Sequence, residues 1–219
     1  MSEKTTLLVC CGTGCIAGGA LDVARALEDA IAAAGSQARV ELDVKRCGCS
    51  GECESGPIVR IMPDDIMYYH VKPKDAQAIV GSIGAEPVSR LLHKRDGKTF
   101  LHMQDNPFYA GQTKIILNNV GVVDPLSLED YRDVGGYKGL KRALSIAEVE
   151  ASGLRGKGGA GFPTGRKWRT AAGYDNFPKY IVCNGDEGDP GAFMDGSIME
   201  GCPHAVIEGM IIGALAIGA

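Results

Sequence analysis

Cys10-Cys-Gly-Thr-Gly-Cys15 and Cys47-Gly-Cys-Ser-Gly-Glu-Cys-Glu-Ser-Gly-Pro57 hold six of the eight cysteines in this 219-residue chain. Cys10 and Cys15 have four residues between them, Cys49 and Cys53 have three, and 33 residues separate the pairs. Clustered cysteines in a chain that keeps its thiols reduced point to metal or redox chemistry rather than to structural disulfides. Four thiolates from two loops can enclose a two-iron, two-sulfide unit, two per iron. Turn glycines at Gly12, Gly14, Gly48, Gly51 and Gly56 would let backbone N–H groups approach the sulfurs. A structural zinc site prefers tighter C-x-x-C pairs, as does a thioredoxin-type dithiol. Spacing alone also admits Cys11 in place of Cys10 and Cys47 in place of Cys49.

Around these loops the pattern is that of a small α/β domain. Thr5 to Cys10 reads as a strand and Gly12 to Gly14 as a turn. Leu21 to Ala34 has helical apolar spacing with Gly35 as its stop. Arg39 to Val44 alternates as a strand does, and Ile58 to Met62 and Met67 to Val71 flank the turn signal Pro63-Asp64-Asp65. Pro73 to Gly81 reads as a closing helix. The expected boundaries are a domain over 1–82, a linker or arm over 83–107, and a second domain over 108–219.

In that second domain, Thr113 to Val120 is apolar enough for a helix or a strand. Ser127 to Arg132 and Tyr137 to Ala143 look helical. Ser145, with Glu148 three residues on, has the pattern of a helix-opening capping box. Lys179 to Asn184 reads as a buried strand. Pro203 opens a helix apolar on nearly every face, which places it in a core. The chain stops at that helix, so the second domain is expected to be incomplete here.

Two glycine-rich loops lie between these elements. Gly156-Lys-Gly-Gly-Ala-Gly161 satisfies G-x-G-x-x-G, but a helix and a Ser-Gly turn precede it where the dinucleotide fingerprint needs a strand. Bare backbone can still present N–H groups to a phosphate, and Arg155, Lys157, Arg166 and Lys167 add positive charge. Asn184-Gly-Asp-Glu-Gly-Asp-Pro-Gly191 brings three acids together, in a spacing unlike an EF-hand.

The whole chain has a net charge of −4 and no Lys/Arg run, which argues against a general grip on nucleic acid. It has no apolar run long enough for a signal peptide or a membrane span, so the expected setting is the cytoplasm. The 31 glycines, about twice the ordinary share, concentrate in the two loops and the last helix. His70, His93, His102 and His204 show no catalytic pairing, so surface or packing roles are expected for them, and no side chain need act as a nucleophile.

The pattern Cys10 to Cys15 followed by Gly48 to Pro57 resembles the thioredoxin-like [2Fe–2S] ferredoxin domain, over residues 5 to 82. The resemblance implies Cys10, Cys15, Cys49 and Cys53 as the cluster ligands. Gly153 to Trp168 and Cys183 to Gly191, with the tail Glu200 to Met210, resemble the NADH-binding flavoprotein subunit of respiratory complex I. They also resemble its relatives in NAD(P)-linked, electron-bifurcating hydrogenases and formate dehydrogenases. The two halves together look most like the flavin-containing β subunit of soluble hydrogenases. The implied fold is α/β: a thioredoxin-like [2Fe–2S] domain, then the first part of a truncated α/β domain for FMN and NAD(P)H. The family implies FMN at Gly156, Lys157, Gly158, Gly159, Lys167, Asn184, Asp186, Glu187 and Gly188, with Phe162 and Asp189 on the nucleotide side. Asp189 is shorter than the Glu often found there. Other iron–sulfur, hydrogenase or dehydrogenase subunits are the implied partners. The family's downstream flavin contacts, its ubiquitin-like insert and its [4Fe–4S] cysteines fall outside this sequence.

Overall fold

The computed structural model describes residues 4–35, 41–141 and 145–219. The chain forms two compact units: residues 1–127 with 196–202, and residues 128–195 with 203–219. No single described helix is long and apolar enough to cross a membrane.

The first unit is built on β1 (Thr5–Cys10). It runs parallel to β2 (Leu42–Cys47), with Thr5 opposite Leu42 and Cys10 opposite Cys47. It is antiparallel to β3 (Val59–Met62), which pairs with β4 (Ile66–Tyr68), giving the order β2-β1-β3-β4. A parallel pair needs a crossover between its strands. The crossover here is α1 (Thr13–Ala17) and α2 (Ala20–Ala34). Helical spacing puts Val23, Ala24, Leu27 and Ala30 of α2 on one buried face, packed with Leu7, Val9, Val59, Ile61, Met67 and Ile79. Each fully buried aliphatic side chain contributes about 1.5–3 kcal/mol, so this apolar layer is the main stabilising element of the unit. The predicted helix from Pro73 divides into a 3₁₀ turn over Pro73–Asp75 and α3 (Ala76–Gly81). The predicted strand over 39–44 is displaced to Leu42–Cys47, and residues 39 and 40 lie outside the described part. Gly12 to Gly14, expected as a turn, runs into α1.

Residues 83–107 are folded onto this sheet rather than strung out as an arm. β5 (His93–Arg95) and β6 (Lys98–Phe100) form a hairpin whose turn, Asp96-Gly97, has φ of 51° and 75°. Two left-handed residues are what a type I′ turn needs, and Asp-Gly supplies them readily. The hairpin flanks the edge of β4: Tyr69 N–H donates to Leu91 O at 2.8 Å and Met67 N–H to Leu101 O at 3.0 Å. An exposed strand edge is thereby covered. Next comes α4 (Pro107–Ala110), capped by the Asn106 side chain. Thr113 to Val120 forms turns, neither helix nor strand. Met103, Lys114, Val120 and Gly121 of this stretch share a small pocket with Leu8 and Cys47. They cover the face of β1 that α2 does not, and Leu8 is only 4% exposed.

In the second unit α5 (Leu128–Asp133), α6 (Lys138–Lys141), α7 (Ile146–Ala151) and α8 (Thr164–Ala172) precede α9 (Met194–Gly201) and α10 (Pro203–Ile217). Residues 196–201 of α9 group with the first unit. The helix expected to reach Ala143 is described to Lys141; residues 142 and 143 lie outside the described part. Ser145 caps α7, accepting the Glu148 N–H at 3.2 Å. Gly165 lets α8 press on α7, since a Cβ there would lie 2.5 Å from Glu150 Cγ. The buried Glu208 of α10 accepts from Tyr131 OH and Tyr137 N–H, both at 2.7 Å, and from Gly139 N–H at 3.1 Å.

One expectation fails in this unit. Lys179 to Asn184 pairs with no described strand, and Tyr180 and Val182 are 75% and 82% exposed. A strand exists only where a neighbour takes up its backbone groups, and none lies beside it among the described residues. The apolar helix α10 buries only Glu208, Gly213 and Ile217, and Leu215 is 70% exposed.

Candidate metal centre and glycine-rich loops

β1 and β2 end in register at Cys10 and Cys47, so both cysteine loops leave the same edge of the sheet. Cys10 closes β1, Cys15 lies in α1, Cys49 follows β2, and Cys53 starts a 3₁₀ turn. Cys49 and Cys53 Sγ are 3.5 Å apart. Hydrogen bonding from the Cys15 thiol, then the Cys49 thiol, pulls Cys10 far below the ordinary thiol range. The same bonds, with burial second, push Cys15 and Cys49 upward. These opposite shifts tie the Cys10, Cys15 and Cys49 sulfurs around one anion, and Cys53 joins them through its 3.5 Å contact with Cys49. Backbone donors reinforce this: Ser50 N–H points to Cys10 Sγ at 3.4 Å and Gly51 N–H to Cys49 Sγ at 3.3 Å.

The loops interlock through glycines. A Cβ on Gly12 would meet Cys49 Cβ at 2.7 Å, one on Gly14 would meet Cys53 Cβ at 3.3 Å, and one on Gly56 would meet Cys15 Sγ at 2.5 Å. Each glycine makes room for a cysteine of the opposite loop. The spare thiols are placed differently. Cys47 is 2% exposed, its Sγ directed at Val9 O at 3.5 Å, and burial pushes its ionisation up. Cys11 is pushed up to about 11, by burial first and by the charge of Cys10 second. Among the described residues no three His, Cys, Asp or Glu side chains converge as a single-ion centre requires. A string of four sulfurs with N–H donors aimed at them fits a two-iron unit better than one zinc. Of the other two cysteines, Cys183 is exposed and Cys202 is buried.

The first glycine loop is pinned at its neck. Gly156 N–H donates to Phe162 O at 2.9 Å, Thr164 N–H to Leu154 O at 2.9 Å, and the Arg155 guanidinium to Gly161 O at 3.2 Å. Between these ties, nothing lies within 4 Å of a Cβ on Gly158, Gly159 or Gly161. The loop therefore presents open backbone, as a flat cofactor needs. Phe162 is 49% exposed, with Arg166 over its ring at 5.8 Å. Phe162 and Lys167 line a pocket of about 750 Å³ with Thr170, Tyr174, Lys179, Tyr180 and Ile217. Lys179, not foreseen from sequence, donates to Ala172 O and Ile217 O, both at 3.0 Å, tying together the C-termini of α8 and α10.

The second loop has its own ties. Asn184 Oδ1 accepts Asp186 N–H at 3.0 Å, and Glu187, at φ 50°, accepts Asp195 N–H at 2.6 Å. Asn184, Asp186, Glu187, Gly188 and Asp189 are not among the walls of the 750 Å³ pocket. The structure thus gathers Phe162 and Lys167 in one pocket, which residues 184–189 do not line.

Residues 2–84 match the thioredoxin-like [2Fe–2S] ferredoxin family, and residues 149–219 match the Nuo51 FMN-binding domain. Separate segments of the chain are thus similar to these two domain families. The ferredoxin match contains all four clustered sulfurs, and the Nuo51 match contains both glycine loops. The chain is 51% identical over 114 residues to the HndC component of the NADP-reducing hydrogenase of Solidesulfovibrio fructosivorans, covering 49% of this chain and 23% of that protein. It is 47% identical over 112 residues to an NADH-quinone oxidoreductase subunit of Rhizobium meliloti, covering 48% and 27%. The matched segment thus spans about a quarter of the length of these curated relatives. Among solved structures, the thioredoxin-like [2Fe–2S] ferredoxin from Aquifex aeolicus is 28% identical, covering 43% of this chain and 100% of that one, with a TM-score of 0.38.

Proposed function

We propose that this chain is the part of an NAD(P)H-dependent oxidoreductase that passes electrons between a nicotinamide dinucleotide, FMN and iron–sulfur clusters. The observation that carries this reading is the set of four sulfurs at Cys10, Cys15, Cys49 and Cys53, joined in one chain to a Nuo51-type glycine loop. The four thiolates would hold a [2Fe–2S] cluster, with Ser50 and Gly51 N–H groups directed at the sulfurs. Gly156, Lys157, Gly158 and Gly159 would face FMN with bare backbone, while Lys167 offers positive charge. Asn184, Asp186, Glu187 and Gly188 would complete the flavin site, and Phe162 and Asp189 the nucleotide side. When bound, the flavin supplies two-electron exchange with nicotinamide and one-electron exchange with clusters. The protein's part is to bind and orient; no side chain is assigned a nucleophilic role. The relatives are named as components of a hydrogenase and a quinone oxidoreductase, which supports other subunits of such a complex as partners.

One observation favours a second reading, an electron-transfer module without flavin: no residue of the second loop lines the pocket that Phe162 and Lys167 line. Anaerobic purification with iron, sulfide and flavin assayed on one sample separates the two. About two iron and two sulfide per chain, with FMN, is the expected result. A cluster without flavin favours the module, and a colourless, iron-free anaerobic protein overturns both.

A further inference from the structure

The loop that carries Cys49 and Cys53 is gripped from outside by a stretch of chain that neither family match covers, since the matches end at residue 84 and resume at 149. Asn106 is 2% exposed. Its Nδ2 donates to Glu52 Oε2 at 3.0 Å and to Tyr69 OH at 2.8 Å, while its Oδ1 accepts Phe108 N–H at 3.0 Å. The amide's two donors and its acceptor are all engaged. Turning it over would set donor against donor at Phe108 and oxygen against carboxylate at Glu52, so its orientation is determined. Glu52 lies between Gly51 and Cys53. Two residues on from Asn106, the Phe108 ring lies against Gly51, where a Cβ would be 3.2 Å from Phe108 Cε1. Gly51 has φ of 102° and donates its N–H to Cys49 Sγ. Asn106 on Glu52 and Phe108 on Gly51 therefore hold the two residues that set the spacing and the N–H direction of the second sulfur pair.

We propose that Asn106 is a positioning residue for the cluster. Acting through Glu52, it holds the Cys49–Cys53 loop in the conformation that receives a [2Fe–2S] unit, so the ferredoxin domain of this chain is completed by residues 106–108. This rests on the cluster reading above.

The test is a double-mutant cycle on the full chain, purified anaerobically: Asn106→Ala, Glu52→Ala and both together. Two quantities are read: the first-order loss of visible absorbance under excess chelator, and the EPR g-values with the reduction potential of the dithionite-reduced protein. Each single variant is expected to lose its cluster roughly tenfold faster, the share of one hydrogen bond to a charged group. The double variant should be no faster than Asn106→Ala alone, because that variant already removes the Asn106–Glu52 contact. Asn106→Ser keeps a side-chain oxygen suited to capping α4 but is too short to reach Glu52, so it should fold and still lose its cluster quickly with altered g-values. Parent-like release and g-values in Asn106→Ser, or effects that simply add in the double variant, overturn the proposal. A parent chain without iron and sulfide overturns the cluster reading itself, and a parent that holds its cluster beside indifferent variants overturns this proposal alone.

Discussion

Replacing Gly56 by Ala probes the interlocked cysteine loops most directly. Gly56 has φ −75° and ψ 166°, an extended conformation open to any residue, so the effect of the added methyl is steric rather than conformational. That methyl would sit 2.5 Å from Cys15 Sγ and 3.3 Å from Cys53 O. Comfortable heavy-atom contacts lie near 3.5–4.0 Å, so the overlap with sulfur is about 1 Å. Cys15 is 1% exposed and has no solvent to move into; α1 or the Cys53 turn has to shift. Overpacking of this kind costs about 1–3 kcal/mol, and each kcal/mol lowers the Tm of a 60–100-residue domain by roughly 4–8 °C. Melting curves and iron content of Gly56→Ala should fall together, because the displaced atom is one of the four sulfurs. Gly81→Ala is the control: its Cβ meets nothing within 4 Å at the end of α3, and it should hold or gain stability, by at most about 1 kcal/mol. If Gly56→Ala carries full iron and melts with the parent, the packing of Cys15 against Gly56 is not what shapes the site.

Other outcomes follow from single contacts. Cys47→Ala should keep its iron, because the Cys47 thiol faces Val9 O, whereas Cys49→Ala should lose it; a colourless Cys47→Ala would reverse that assignment. Glu208→Gln sets an amide NH₂ either against Gly139 N–H or against Tyr131 OH and Tyr137 N–H, and denaturant unfolding should register a loss of about 1–3 kcal/mol. The Arg169 guanidinium, by hydrogen bonding first and charge second, holds the Glu150 carboxyl below the usual range. Because the folded value is depressed, the α7–α8 tie is fully present above the ordinary glutamate value of about 4.3 and is lost as pH falls through the lower folded value. An NMR titration of Glu150 should show this depression, and Arg169→Ala should remove it.

Periodicity was the dependable guide to the ferredoxin half. The strand over Thr5 to Cys10 has the predicted bounds, and α2 begins one residue before the predicted Leu21, because in both cases the buried pattern and the local propensity agree. The hairpin over 93–100 was legible in Asp96-Gly97, but the surrounding charges concealed it: its strands lie along an edge and bury little. Thr113 to Val120 misled in the opposite direction: it forms turns, Ile115 and Ile116 are exposed, and of its apolar residues only Val120 packs into the pocket with Leu8. Lys179 to Asn184 has the composition of a strand, yet strand formation depends on a neighbour, which composition does not report. At the metal centre, the spacing left Cys11 and Cys47 open as ligands. The Cys47 thiol turns toward the Val9 carbonyl while Cys49 and Cys53 Sγ lie 3.5 Å apart, which supports Cys49 over Cys47; no such contact distinguishes Cys11 from Cys10. Asn106 gave no signal at all, because its partner Glu52 is 54 residues away.

The reciprocal fit of the two cysteine loops also sets a schedule for biosynthesis. Cys53 is made 43 residues after Cys10, and at translation rates of roughly 5–20 residues per second the first thiols wait about 2–9 s for the last. Throughout that wait Gly12 and Gly14 have no opposing cysteines to fit against, and β1 lacks β3. Iron delivered early meets half a site. A complete four-thiol site requires residues well past Cys53 to have emerged, so the growth of the chain sets the earliest time at which a cluster could enter.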